Sequence, residues 1–329
     1  MTGFLLRRLA ASLLLLVLVL SAVFFLIHLA PGDPTQILED PRISAAQRAH
    51  LRQVFGLDRP LPEQYAAWLY AVAVRGDWGL SFAQRRPVTA LLREALPATA
   101  LLGTTALVVD FGLGTLLGVA AARRRGSAFD HLIRIVSLML YSQPVFWLGL
   151  MAILLFSHAW HLLPSSHMHA VGAERMGAAE SFFDLARHLL LPALVLGVPM
   201  AGATARFVRA SLLEVMGRDY IRAARAKGLS ERRVVWVHGL RNALVPIIQV
   251  FALTIPLLLS GSLITEVVFA WPGLGRATFE AILARDYPVI LAITALTAVV
   301  VIASNFMADV LHAAADPRVR EPSQGGRTA

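Results

Sequence analysis

Six long apolar runs, separated by polar segments, dominate the pattern of this sequence. They cover residues 9–29, 97–121, 132–157, 189–206, 245–268 and 288–312. An α-helix rises about 1.5 Å per residue, so about 20 residues cross the roughly 30 Å of a bilayer's hydrocarbon core. The composition, 57% hydrophobic and 16% charged, is less polar than that of a soluble domain. The pattern predicts an all-α integral membrane protein with six transmembrane helices.

The first run has two interpretations, a cleaved signal peptide or a membrane span. It follows Arg7 and Arg8, as either would. It is long enough to span, and no small-x-small cleavage site follows it, because the next residues read Leu29-Ala30-Pro31-Gly32-Asp33-Pro34. We therefore expect an uncleaved first helix.

Charge in the linkers predicts the orientation of the spans. The 207–244 linker carries eight Arg or Lys and three acidic residues, whereas the 30–96 linker carries eight Arg and seven acidic residues. The short linker after the second span contains Arg123-Arg124-Arg125. Since cytoplasmic linkers carry the excess of Arg and Lys, both termini are predicted to be cytoplasmic. The same bias explains the net charge of +9 without nucleic acid as a partner.

The spans and linkers divide the chain into three parts. Residues 1–96 hold the first span and an outer cap. Residues 97–315 form the transmembrane core with the 207–244 loop, and residues 316–329 form a polar cytoplasmic tail.

The outer cap contains two helical patterns. Residues Ser44 to Phe55 are typical of an amphipathic helix, and a second apolar stripe is formed by Tyr65, Trp68, Leu69 and Val72. Since Trp and Tyr favour the membrane–water interface, we expect the cap to lie on the outer surface of the membrane.

Proline positions predict interruptions of two spans. Pro192 and Pro199 fall in the fourth run, and Pro246 and Pro256 fall in the fifth. Proline removes a helical hydrogen bond and bends a helix, although membrane helices also tolerate it. The sequence leaves both interpretations open, a bend that serves movement and an ordinary membrane proline.

Signals of enzymatic chemistry are absent from the sequence. It has no cysteine, which excludes disulfides, thiolate catalysis and cysteine-ligated metal. Lys227, the only lysine, follows Ala226, so the Gly-Lys-Ser/Thr loop that binds ATP is missing, and no His is followed by Glu as in a zinc protease helix. We expect no catalytic residues and no cofactor, and an energy source in another protein.

A histidine cluster offers one alternative chemistry. The linker after the third span contains His158, His161, His167 and His169. Imidazole is a good ligand of nickel and zinc, but this spacing does not define one coordination geometry. Metal binding is therefore an alternative, and no metal site is predicted.

The 207–244 loop contains an ordered series of helix signals. Asp219 is expected to cap a helix from Tyr220 to Lys227, Gly228 to end it with positive φ, and Ser230 to cap the next helix. The small residues Ala223, Ala224, Ala226 and Gly228 are expected to let another backbone approach, with Arg222, Arg225 and Lys227 around them. A solvated basic loop explains the charge alone. The order of caps, small residues and glycine favours a docking element for a soluble partner.

This stretch resembles the cytoplasmic loop motif of bacterial ABC importer permeases, in which Glu-Ala-Ala is followed by three residues and Gly, and farther on by Ile-x-Leu-Pro. The residues that match are Ala223, Ala224, Gly228 and Pro246. Arg222 replaces the Glu, and Ala243 and Val245 replace the Ile and Leu. These departures are shared with the peptide- and nickel-type branch, whose pattern resembles the run from Asp219 to Leu229. Further similar blocks lie at residues 27–34, 56–61, 96–99, 189–193, 266–275 and 316–318.

The resemblance implies a function and a set of partners. The protein is expected to be a permease subunit in a bacterial inner membrane, importing di- or oligopeptides, with a nickel or metal-chelate importer as the alternative. Its expected partners are a second, similar permease, two cytoplasmic ABC ATPases and an extracytoplasmic substrate-binding protein.

The resemblance also implies roles for particular residues. Contact with the ATPase is expected of Asp219, Arg222, Ala223, Ala224, Lys227, Gly228 and Pro246. Part of an outer gate is expected of Trp271, Pro272, Gly273 and Gly275, with the glycines supplying unusual backbone angles.

Asp110 lies near the middle of the second span and has no counterpart in the quoted motifs. A charged group at this depth is costly, so it should face the protein interior or a wet cavity, or be protonated. Two interpretations stay open, a group that lines the translocation path and a hydrogen bond to a neighbouring helix. The first also allows a secondary transporter driven by an ion gradient, with Asp110 as its proton site.

Overall fold

The structure is a computed structural model that describes residues 2–29, 58–243 and 263–315, with side-chain surroundings for 8–29, 58–243 and 263–306. The described helices are, in chain order, α1 Thr2–Leu29, α2 Leu61–Tyr70, α3 Val88–Arg123, α4 Ala128–Tyr141, α5 Val145–Ala152, α6 Ala178–Met216, α7 Asp219–Ala226, α8 Glu231–Arg233, α9 Leu263–Val268, α10 Leu274–Leu283 and α11 Tyr287–Ala315. Short π-helical segments follow three of them, at Ala71–Arg75, Ile153–Ala159 and Val234–Gly239. The all-α prediction is confirmed for these residues.

Four described helices are long and apolar enough to cross a membrane, within α1, α3, α6 and α11. They coincide with the first, second, fourth and sixth predicted spans. The predicted bounds are too short at several ends, because α3 begins nine residues before residue 97 and α6 covers Ala178–Met216. Most of the fifth predicted span, 245–268, lies outside the described residues, so the count of six stays a prediction.

The third predicted span is not one straight helix. Helices α4 and α5, the latter continued by its π-helical segment to Ala159, meet at an angle of 100° across the break at 142–144. Pro144 explains the break, because its ring disfavours the helical conformation of the preceding Gln143. Together the two helices are apolar enough to count as a fifth, broken span.

Prolines do not interrupt α6. Pro192 and Pro199 both lie inside the continuous helix, as Pro97 lies inside α3. The fourth span is therefore not broken at these prolines, and both interpretations, a bend that serves movement and an ordinary membrane proline, stay open. Pro246 and Pro256 lie outside the described residues.

The chain divides into two compact units, residues 1–99 with 272–303 and residues 100–271 with 304–329. In the first unit, α2 packs against the end of α1. The Tyr65 hydroxyl lies 2.6 Å from the Ser21 hydroxyl. The Phe24 ring, only 2% exposed, lies 5.3 Å from the ring of Tyr65 and 5.4 Å from that of Trp68. Tyr65 and Trp68 of the predicted stripe thus pack on the end of the first span. Its place on the membrane surface stays a prediction, and Ser44 to Phe55 lie outside the described residues.

A buried carboxylate fastens a loop in the same unit. Asp286 accepts hydrogen bonds from the Ser81 hydroxyl and from the backbone N–H groups of Phe82 and Ala83, the latter two at 3.0 and 3.1 Å. The apolar core beside it is formed by Val88, Ala95, Leu274, Ala281, Val289, Ala292 and Ile293. Ser81 is therefore a structural residue that holds the loop before α3.

In the second unit, glycines let α3 lie directly against α6. Gly114 and Gly118 are one turn apart on α3. A Cβ added at Gly118 would lie 2.7 Å from the Ala205 carbonyl oxygen, and one at Gly114 would lie 2.7 Å from the Thr204 side chain. This small-x-x-x-small spacing is the arrangement that brings membrane helices into close contact.

Helix α4 is tied to α6 by an ion pair. Arg209 donates two hydrogen bonds of 2.7 Å to the Asp130 carboxylate, from Nε and from one terminal nitrogen. The Gly126 N–H donates to the same carboxylate at 3.0 Å. Asp130 is fully buried, so the bidentate geometry compensates the charge where water does not reach.

Candidate functional site: the exposed helix of the 207–244 loop

Helix α7 has the predicted length but begins one residue earlier than expected. Arg218 is its N-cap residue, and no side chain caps it. Asp219 is instead the first helical residue and lies 3.3 Å from Arg222. Since a negative charge in the first turn still favours the helix dipole, Asp219 stabilises the helix start without capping it.

The end of α7 is as predicted. Lys227 is the C-cap residue and Gly228 follows with φ 76°. Glycine adopts this left-handed conformation without a Cβ penalty. Ser230 is the N-cap residue of α8, but its side chain makes no capping hydrogen bond.

The inner face of α7 is anchored to the chain that follows it. Ile221 and Ala224 are buried with Val234, and partly buried Met216 and Leu229 pack against them. The next segment continues this packing, because Val235 and Leu240 share a core with Leu212 of α6. The inner face of α7 is therefore connected by packing, through the 234–240 segment, to α6.

Ala224 was expected on the docking face and lies on the inner one. Its exposure is 7%, because its Cβ points toward Val234. The small residues that are exposed are Ala223, Ala226 and Gly228. They lie beside the half-exposed Tyr220, so the face available to another molecule is small, flat and partly aromatic.

Arg225 and Arg222, two of the three cations around this face, differ in how freely they can bind another molecule. Arg225 donates two hydrogen bonds to the Glu231 carboxylate, at 2.8 and 3.1 Å, and so braces α7 against α8. These bonds, more than any other cause, hold the pKa of Glu231 below its usual value. Arg222 is largely exposed and pairs, in the described part of the chain, only with the still more exposed Asp219. Such a surface pair is weak, so both side chains are available to an interface.

The residues expected at an outer gate adopt ordinary backbone conformations. Trp271 is fully buried, and its backbone N–H donates to the backbone carbonyl of Glu266 at 2.8 Å. Gly273 has φ −105° and precedes α10, and Gly275 lies inside that helix. The expectation of unusual angles at the glycines is wrong, because positive φ falls on Ala270, at 48°. Pro272 lies beside Gly273 in a cavity of about 460 Å³ within the first unit.

Asp110 makes the hydrogen bond that one of its two interpretations predicted. It is 1% exposed, and the Thr204 hydroxyl of α6 donates to its Oδ1 at 2.7 Å. This contact joins α3 and α6 one turn from Gly114. A place on the translocation path stays a hypothesis.

Asp110→Asn is expected to leave transport and folded yield largely unchanged, because the amide oxygen still accepts the Thr204 hydrogen bond. Thr204→Val should destabilise the protein by roughly 1–3 kcal/mol, since it leaves the buried Asp110 without its donor. Uptake assays with thermal unfolding of both variants check this. Loss of uptake in a well-folded Asp110→Asn variant would instead favour a proton site.

The histidines do not form a metal cluster. Asp184 accepts from the Ala170 N–H and lies 3.0 Å from His169 Nδ1 and 3.2 Å from His188 Nδ1. No group of three or more side chains suited to a metal ion is found among the described residues, which include all four predicted histidines. Through Asp184, His169 instead joins the linker after the third span to α6.

The sequence matches the family described as binding-protein-dependent transport system inner membrane component over residues 114–321, and its N-terminal part over residues 1–103. The chain belongs to this family. The dipeptide transport system permease protein DppB of Escherichia coli (strain K12) is 38% identical over 97% of this chain and 99% of its own. The oligopeptide transport system permease protein AppB of Bacillus subtilis (strain 168) is 39% identical over the same shares.

A solved structure shares the fold of this transport component. A chain of the MetNI methionine ABC transporter, in an inward-facing conformation, matches with a TM-score of 0.54 and 20% identity. The match covers 68% of this chain and 96% of that one. The protein is thus a multi-pass membrane component of this family, and it shares the fold of that transporter chain.

Two structural features of this transport component were missed from sequence. Gly114-Thr115-Leu116-Leu117-Gly118 carries the small-x-x-x-small spacing and would have predicted the contact of α3 with a neighbour. The Asp130–Arg209 pair leaves no such signal, because its members are 79 residues apart. Pro246, expected at the ATPase contact, lies outside the described residues.

Proposed function

We propose that this chain is the permease subunit of an ATP-driven importer of di- and oligopeptides in a bacterial inner membrane. One observation carries the proposal. In a member of this transport family, a short helix presents Ala223, Ala226 and Gly228 outward, while Ile221 and Ala224 fix it to the chain inside. A helix so placed receives force from a partner and passes it on.

The peptide substrate is supported by the relatives. Proteins named for dipeptide and oligopeptide transport share 38% and 39% of their residues with this chain over nearly its full length. The histidine linker offers nothing comparable in favour of nickel, since Asp184 holds His169, one of its four histidines, in a structural contact.

The proposed topology has six spans with both termini in the cytoplasm. The excess of Arg and Lys in the 207–244 loop and the Arg123-Arg124-Arg125 linker supports it. Residues 1–96 then hold the first span and outer cap, residues 97–315 the permease core, and residues 316–329 the tail. The loop helix α7 faces the cytoplasm.

The proposed assembly contains this permease, a second similar permease, two ABC ATPases and an extracytoplasmic binding protein. The sequence has no ATP-binding loop, so hydrolysis belongs to the partners. Closure of the ATPases pushes the exposed face of α7. Because Val235 and Leu240 share a core with Leu212, the push moves α6 and opens the path outward. ATP hydrolysis by the partners then returns the path to its inward-open state.

Cysteine-directed cross-linking tests the docking face, because the chain has no cysteine of its own. Single variants Ala223→Cys and Ala224→Cys are matched neighbours, one exposed and one 7% exposed. With a thiol-attached photo-cross-linker in the assembled importer, Ala223→Cys is expected to capture the ATPase subunit and Ala224→Cys to react poorly with the reagent.

Arg75→Cys serves as a control, since it lies in the proposed outer cap and should give no ATPase adduct. Uptake of a labelled dipeptide is measured in the same membranes and should require an active ATPase. An importer that takes up peptide while Ala223→Cys captures no ATPase would contradict the proposed docking face. Peptide uptake that persists with an inactive ATPase would contradict the proposed energy source.

A further inference from the structure

A small basic cavity lies where α3 ends. It has a volume of about 260 Å³ and is lined by Ala120, Arg123, Arg124 and Phe129. The guanidinium of Arg124 lies over the Phe129 ring, 4.9 Å from its centre. The stacking holds one cation at the edge of the cavity in a defined position.

The cations of this cavity have no ion-pair partner among the residues that the structure describes. Arg123, Arg124 and Arg125 are all exposed, and none forms an ion pair with a described carboxylate. The nearby acidic residue Asp130, in the first turn of α4, already accepts two hydrogen bonds from Arg209. An anionic ligand is therefore the chemistry that the cavity fits.

The position of the cavity indicates where the anion comes from. Ala120 belongs to the last turn of α3, a helix that is long and apolar enough to cross the membrane. The arginines are thus placed at the boundary where lipid headgroups lie, with an apolar floor beside them. A volume of about 260 Å³ is below the range of about 300–1,000 Å³ typical of pockets for drug-sized ligands, and suits a phosphate with part of its glycerol.

We propose that Arg123, Arg124 and Phe129 form a binding site for the phosphodiester headgroup of an anionic phospholipid of the inner leaflet. Arginine clusters directly cytoplasmic to a span attract anionic lipids in general. Here the cavity and the Arg124–Phe129 stack make a defined site. The placement in the inner leaflet rests on the proposed topology.

Lipid retention by the full importer tests the site. The complex is reconstituted in nanodiscs of phosphatidylcholine with phosphatidylglycerol, and the lipids that stay bound are measured by native mass spectrometry. The double variant Arg123→Gln with Arg124→Gln is expected to bind phosphatidylglycerol with an affinity lowered roughly tenfold or more. Each arginine near the membrane surface contributes to the attraction of anionic lipid. The matched control, Arg75→Gln with Arg93→Gln, removes the same charge from the proposed outer side and should retain the lipid.

Three outcomes would overturn the proposal. The first is equal lipid retention by the Arg123/Arg124 variant and its control. The second is displacement of the lipid by inorganic phosphate at the concentration at which phosphate itself occupies the site, which would assign it to a soluble anion. The third is loss of the ATPase subunit from the variant in every lipid mixture, which would assign the arginines to that partner. Lipid retention is read without peptide or ATP, so it stands or fails separately from the transport function.

Discussion

Gly228→Val is expected to abolish most peptide uptake while leaving membrane insertion intact. Gly228 has φ 76°, and nothing lies within 4 Å of a Cβ built there, so the effect comes from the backbone and not from a clash. A β-branched residue in this conformation costs about 1–3 kcal/mol. The end of α7 is expected to shift to relieve the strain, which displaces the exposed face, and uptake should fall roughly tenfold or more. The effect is measured as peptide uptake by cells that carry equal amounts of wild-type or variant permease in the membrane.

Two controls separate the position from the substitution. Gly228→Asn should retain most uptake, because asparagine tolerates the left-handed region. Gly76→Val introduces the same strain after another helix, because Gly76 has φ 63° and a Cβ built there also has no neighbour within 4 Å. Gly76 is far in sequence from the proposed ATPase contact, so this variant should retain uptake. Normal uptake in the Gly228→Val variant would refute the role of this helix end.

Gly118→Val is expected to cause the largest loss of folded protein. The added Cβ would lie 2.7 Å from the Ala205 carbonyl oxygen and 2.7 Å from the Val208 Cβ, distances that force α3 and α6 apart. Overpacking of this kind costs about 1–3 kcal/mol or more. The separation also stretches the nearby Asp110–Thr204 hydrogen bond. The yield of monodisperse protein in detergent and its thermal midpoint are the measurements.

Gly112→Val is the matched control in the same helix. Gly112 is exposed, and nothing lies within 4 Å of a Cβ built there. Gly112→Val makes the same change in helix propensity as Gly118→Val and adds the same apolar side chain. If both variants lose yield equally, helix contact is not the reason why glycine stands at Gly118.

The loop helix shows how far sequence reasoning reaches. The glycine stop at Gly228 was predicted and is confirmed by its φ, because a helix end depends on neighbours in the chain. The face of Ala224 was predicted wrongly. Two adjacent alanines look alike in sequence, and only the position of Val234 decides that Ala224 packs inward and Ala223 does not.

The spans give the same contrast. Apolar runs located α1, α3, α6 and α11, since a helix in lipid satisfies its own backbone and needs no partner to be recognised. The 100° bend between α4 and α5 was missed although Pro144 stands in the sequence. Proline alone is ambiguous, because Pro192 and Pro199 lie in an unbroken helix.

By itself, the sequence determined that this is a helical membrane protein, that it lacks an ATP-binding loop, and that its 207–244 loop carries a short helix ended by glycine. These properties follow from apolar length, composition and local backbone preference. Only the tertiary structure decided which face of that helix is exposed, that Thr204 is the partner of Asp110, and that Arg209 neutralises Asp130. Each depends on residues far apart in the chain that packing brings within a few ångströms of one another.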